Sequence, residues 1–199
     1  MKSWFIYRLF QVIQLASLTV CTFLMRVYGW LWGVETQGNL KFYGVARYLR
    51  HPSAKILIGQ NVTFRSSVSS NNMGINRACF LSAGENAILQ IGDDCGFSGA
   101  VISANQHIEI GQRVMCGVNV TITDCDRHPL DALARFKGDR GASMPVKIGD
   151  DVWLGMNVIV LKGVHIGDGS VVAANSVVTR DIPAGSLAAG QPAKVVRAI

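Results

Sequence analysis

At 199 residues, 21 of them glycine and only 16% charged, the chain has room for one multi-coil domain plus an appendage and suits a fold that turns often. Its net charge of +6 is uneven: Lys2, Arg8, Arg26, Lys41, Arg47, Arg50 and Lys55 cluster near the start, opposed there only by Glu35. That excess favours an anionic surface, and without an aromatic–basic nucleic-acid motif a membrane face is the better candidate than nucleic acid. Cys21, Cys79, Cys95, Cys116 and Cys125 are odd in number and form no CxxC pair, so neither a zinc site nor a disulfide framework is expected; they read as reduced, mostly buried thiols of a cytosolic protein.

Residues 1–33 are the most apolar part of the chain. Seventeen uncharged residues separate Arg8 from Arg26, flanked by Trp4, Phe5 and Tyr7 before and Tyr28, Trp30 and Trp32 after. No small-residue cleavage site follows, which argues against a secretory signal, and the run is marginal for a spanning helix, which needs ~20 apolar residues. At helical spacing Arg8, Gln11, Thr19, Thr22 and Arg26 share one narrow sector. This polar stripe predicts an apolar helix in the membrane interface or docked on the protein, or one that simply caps a solenoid. Residues 1–54 are thus read as helix and connector, with the main domain over 55–199.

From Ile148 to Pro183 the chain divides into six-residue units opening at Ile148, Leu154, Val160, Ile166, Val172 and Val178. The fifth position of each, Val152, Val158, Val164, Ser170, Ser176 and Ile182, is small or β-branched, and Gly149, Gly155, Gly167 and Ala173 follow four of the openings. A period of six, with one corner per unit, predicts a triangular solenoid of short parallel strands. The aliphatic residue is expected to fill the interior, and the glycine to relieve the backbone at the bend. Ile56-Leu57-Ile58-Gly59, Ile91-Gly92 and Ile110-Gly111 are earlier corners. Residues 125–145 break the pattern, and so long an excursion from a tight coil reads as a functional loop.

Within that loop stands His128, followed by Pro129. An imidazole there suits a general base, although spacing alone favours a solvent-facing loop histidine. His51, His107 and His165 read as structural.

From about Ile88 onward the sequence resembles the left-handed parallel β-helix acyltransferases, in particular the galactoside, maltose and xenobiotic acetyltransferase branch and the O-acetyltransferases of bacterial surface polysaccharides. The matching pieces are Asp124 to Pro129, Arg135, Ile148-Gly149-Asp150-Asp151-Val152-Trp153-Leu154-Gly155, Val177 to Pro183, and Ala189-Gly190-Gln191-Pro192-Ala193-Lys194-Val195-Val196. The resemblance implies an all-β, left-handed coil with an N-terminal apolar helix and a protruding active-site loop. It also implies acetyl-CoA as co-substrate without a metal, and a homotrimer with its sites between subunits.

By the same resemblance His128 is the catalytic base and the backbone amide of Met156 stabilises the oxyanion. Trp153 shapes the pantetheine channel or simply packs; Ala174, Thr179 and Arg180 line the coenzyme groove. Lys194 and Arg197 lie near the coenzyme phosphates, and Asp126 and Arg135 serve the acceptor. The acceptor is expected to be a sugar or lipid-linked saccharide met at the cytoplasmic face of the inner membrane, with residues 1–33 in peripheral contact. Two departures leave its identity open: Gly96-Phe97-Ser98-Gly99 stands where some sugar acetyltransferases carry an asparagine, and no maltose-type N-terminal motif is present. A non-catalytic β-helix scaffold and a non-sugar acceptor are the alternatives. A γ-type carbonic anhydrase would require three closely spaced zinc histidines, and a serine acetyltransferase a larger helical N-terminal domain.

Overall fold

Residues 2–199 are described by a computed structural model; Met1 and the side chain of Lys2, one of the N-terminal cations, lie outside the described part. Three sheets form the faces of a triangular prism. Face one stacks Glu35–Thr36, Lys55–Ile58, Ile88–Ile91, His107–Ile110, Val146–Ile148 and His165–Ile166, all in parallel. Face two runs in parallel from Lys41–Tyr43 to Ser186–Gly190 and ends with the antiparallel edge strand Ala193–Ala198; face three runs from Arg47–Arg50 to Val177–Val178. The result is a left-handed parallel β-helix whose chain passes from face one to two to three in every coil. This hand runs against the right-handed crossover usual for parallel strands.

The six-residue register expected for 148–183 is borne out by burial. Ile148, Leu154, Val160, Ile166, Val172 and Val178 are fully buried, and so are the fifth-position residues from Val152 to Ile182. Inside face two, Phe42, Phe64 and Phe97 stack at 5.0 and 5.3 Å between ring centres, and Cys116, Leu154, Val172 and Ala188 continue inside the same face. Burial pushes the thiol of Cys95 up to about 11 and that of Cys116 well above its usual range.

Two expectations change. The glycine after each aliphatic residue is needed for close approach between coils rather than for a bend. A side chain at Gly149 would run into the Asp168 carboxylate, whose Oδ1 accepts from the Asp150 amide at 2.9 Å. The left-handed backbone sits two residues further on, at Asp151, Asn157, Gly169 and Asn175. Asn and Asp tolerate that region better than other non-glycine residues. Second, the solenoid starts earlier than residue 55: Glu35–Thr36, Lys41–Tyr43 and Arg47–Arg50 add one strand to each face and form a first coil inside the presumed connector.

The helix α1 (Lys2–Leu31) closes the open end of that first coil. The C-terminal part of its polar stripe meets the solenoid, while Arg8, Gln11 and Thr19 stay exposed: the Thr22 hydroxyl accepts from the Phe42 amide at 3.0 Å, and the Arg26 guanidinium donates to the Gly38 carbonyl at 2.9 Å. Met25 is buried, and Tyr28 stacks on the buried Tyr48. The outward face keeps Phe23, Leu24, Val27, Trp30 and Leu31 exposed, and the first turns expose Trp4, Phe5, Ile6, Leu9 and Phe10. Ser3–Leu31 is long and apolar enough to cross a membrane by length and composition.

Candidate active site

After Thr123 the chain leaves face three and rejoins face one only at Val146, so the loop springs from the edge between those faces. Its root is fixed by Asp124. This fully buried carboxylate accepts the amides of Asn105, Gln106 and His107 at 2.7, 2.8 and 2.8 Å. Then comes a tight turn: Arg127 has φ 65°, and the His128 amide donates to the Asp126 carbonyl at 2.8 Å. A left-handed non-glycine residue costs ~1–2 kcal/mol, so the surroundings must hold it. Asp126 does so through Lys162 Nζ at 2.9 Å, and Arg135 donates to the Pro129 and Leu130 carbonyls at 3.0 and 2.8 Å. Asp131 caps the short helix α2 (Ala132–Phe136) by accepting from the Ala134 amide. On the returning strand Gly141 passes so close that a Cβ there would sit 2.7 Å from the His128 nitrogen. The His128 side chain is exposed and has no hydrogen-bond partner among the described residues. Its backbone is fixed while its imidazole is free.

The edge between faces two and three carries the other groups. Met156 sits there, after Trp153–Leu154, and its amide donates to no protein acceptor among the described residues. Directly across, in the preceding coil, is Gly117, where a Cβ would lie 2.7 Å from the Met156 nitrogen. Trp153 is half exposed on the outer surface beside Met115, so it does not fill the core. With Met115, Gly117 and Met156 it lines a groove of about 330 Å³. Ala174 follows one coil on, where the Asn175 amide donates to the Met156 carbonyl at 2.8 Å; Gln191 then donates to the Asn175 carbonyl at 2.6 Å. Lys194 pairs with Ala189 at this same end of the edge strand, whereas Arg197 pairs with Leu187 nearer its other end.

Residues 145–180 match the family of the bacterial transferase hexapeptide (six repeats). That segment carries the hexapeptide repeat. A putative acetyltransferase of Schizosaccharomyces pombe is 52% identical over 92 residues, which is 46% of this chain and 44% of the relative. The galactoside O-acetyltransferase of Escherichia coli is 42% identical over 92 residues, with the same two shares. The chain thus spans about half the length of the curated relatives it matches or less. Among solved structures, a variant of AntD, an N-acyltransferase from Bacillus cereus in complex with dTDP-4-amino-4,6-dideoxyglucose and coenzyme A, superposes with TM-score 0.61. It is 16% identical, and 82% of each chain is covered, a likeness of fold.

Apart from Arg197, which lies nearer the edge between faces one and two, the anticipated residues form two groups. Trp153, Met156, Ala174 and Lys194 follow the edge between faces two and three. Asp126, His128 and Arg135 belong to the loop at the edge between faces three and one, and the exposed Thr179 and Arg180 lie two coils below at that same edge. One face width, about five residues or ~17 Å at strand rise, separates the edges. Thr179 and Arg180 therefore do not share a groove with Ala174 within one chain. Gly117, Gly141 and Lys162, and the anchoring role of Asp124, emerge only from the structure, because each acts on a neighbouring coil or segment distant in sequence. No group of three or more His, Cys, Asp or Glu able to hold a metal ion occurs among the described residues.

Proposed function

We propose that this protein is an acetyl-CoA-dependent O-acetyltransferase that acts on a sugar hydroxyl in a bacterial surface-polysaccharide pathway. The observation that carries this reading is the pairing of a fixed backbone bearing a free imidazole, His128, with an uncommitted backbone amide, Met156, on a hexapeptide coil. The galactoside O-acetyltransferase among its relatives supports a sugar acceptor.

In the reaction, His128 takes the proton of the acceptor hydroxyl as its oxygen attacks the thioester carbonyl carbon. The tetrahedral oxyanion accepts from the Met156 N–H. Collapse breaks the carbon–sulfur bond, and the departing thiolate recovers the proton from the imidazolium, leaving an acetyl ester and CoA. Lys194 meets the coenzyme phosphates at the end of the Met156 edge.

A general base must come within ~3 Å of the proton it removes, which the face width denies to His128 and Met156 of one chain. A homotrimer in which the loop edge of one copy faces the Met156 edge of the next brings them together, and brings Thr179 and Arg180 opposite Ala174. The outward apolar face of α1, its exposed Trp4 and Trp30, and the nearby cations support contact with the cytoplasmic face of a membrane. There a lipid-held acceptor would be met at raised effective concentration. Acetyl transfer from acetyl-CoA to saccharide hydroxyls, followed by thiol release, tests the chemistry; no transfer to any saccharide overturns it. Flotation with anionic liposomes tests the membrane contact, which is lost if the full chain stays with the soluble fraction.

A further inference from the structure

Beneath the His128 loop, on the outer side of face three, lies a cavity of about 740 Å³ whose wall includes Arg50, Arg127 and Arg140 but only one carboxylate, Glu85. A volume of this order suits a ligand of several rings or phosphates. The three guanidinium groups are poorly neutralised. Arg127 Nη2 reaches Ser103 Oγ, a neutral hydroxyl already hydrogen-bonded to Ser82 Oγ at 2.7 Å. Arg140 touches Glu85 at 3.3 Å while remaining 80% exposed. Arg50 spends its Nη atoms on the Trp32 and Pro52 carbonyls at 3.2 and 3.3 Å, and its Nε is buried without a partner. Three like charges gathered on one wall repel each other unless an anion lies between them, and planar guanidinium forks match phosphate oxygens.

We propose that this cavity binds the phosphate or diphosphate group of the acceptor, so that the sugar is acetylated while still carried on a phosphorylated anchor. The inference rests on the transferase reading for the identity of the ligand, not for the existence of the anion site. Arg50 holds the Trp32 carbonyl just past the end of α1, beside the exposed Trp30 and Leu31. A diphosphate between lipid and sugar would meet the arginines there, its lipid beside the apolar helix and its sugar towards the His128 loop. A soluble nucleoside diphosphate sugar presents the same anion, and the test separates the two.

Full-length protein in detergent micelles, saturated with CoA so that the coenzyme's own phosphate contacts are filled, is titrated calorimetrically with inorganic pyrophosphate. Wild type is expected to bind, Arg140→Gln and Arg50→Gln each to weaken binding by about tenfold or more, and Lys55→Gln, on face one and outside the cavity, to leave it unchanged. Arg140 is so exposed that its variant will fold, which keeps the result interpretable if Arg50→Gln does not. Equal affinities in wild type and Arg140→Gln, or no binding by wild type, overturn the site. Geranyl diphosphate and a UDP-hexose are then compared. Tighter, arginine-dependent binding of the first assigns a lipid anchor, and of the second a soluble nucleotide; both uphold the site, whereas arginine-independent binding of both overturns it. If CoA binds but pyrophosphate ignores the arginines, the anion site alone fails. If CoA does not bind, the transferase reading fails while an arginine-dependent pyrophosphate signal still upholds the site.

Discussion

The two edges of face three differ in how they are built. From Gly96 onward the repeat along the Met156 edge is unbroken, residues 66–79 having left the coil earlier on the same edge: Gly117 faces Met156, and Gly155 faces Ala174, where an added Cβ would approach the next amide to 2.6 Å. Close stacking of this kind supplies rigid backbone donors at fixed positions. The other edge is interrupted, and the interruption carries the titratable side chain, His128, on a turn held by Asp124, Lys162 and Gly141. The repeat thus presents backbone, and the excursion presents an exposed imidazole. Neither edge alone holds both the imidazole and the free amide that the proposed acyl transfer uses.

The strongest way to break this division is at the loop. His128→Ala is expected to lower kcat for acetyl transfer by ~10² to 10⁴ while leaving coenzyme affinity nearly unchanged, and near-normal turnover would refute its role as base. On the opposite edge Gly117→Ala should cost ~10- to 10³-fold in kcat by crowding the Met156 amide, without moving the CoA dissociation constant. A KM effect alone would place Gly117 in packing only. Gly141→Ala sharpens the comparison further, because it displaces the His128 backbone without touching the imidazole. Turnover should fall by ~10-fold or more, since small misplacements of a catalytic group are costly. If activity holds, the turn is not what positions the base. Smaller still is Lys194→Ala, expected to weaken CoA binding several-fold at low salt and less at high salt, as screening of an exposed contact requires. Identical loss at both ionic strengths would argue against a phosphate contact.

Much of the regular edge was legible in sequence because its rule is local: an aliphatic residue opens each six-residue unit from Ile148 on, and every one of those residues is buried. The position of His128 was legible because a charged, twenty-residue departure from such a pattern has few structural explanations. What stayed hidden depends on neighbours far along the chain. The first coil is hidden in the sequence because it has no Ile-Gly corner. The stripe on α1 was visible, yet only the hydrogen bonds of Thr22 and Arg26 tell that its C-terminal end faces the solenoid and leaves Phe23, Val27 and Trp30 outward. Gly117 and Gly141 look like any other glycine until the atoms across from them are known.

The central claim, that base and oxyanion donor come from different copies, is tested most directly by complementation. His128→Ala chains and Gly117→Val chains, each inactive alone and each shown to fold and bind CoA, are unfolded together in equal amounts and reassembled. Random mixing makes half of all loop edges and half of all Met156 edges intact, so roughly a quarter of the sites regain wild-type turnover if they are shared between neighbours. If both groups serve the same site within one chain, every site carries one lesion. Activity in the mixture would then stay at the level of the two variants alone, and the account would be contradicted.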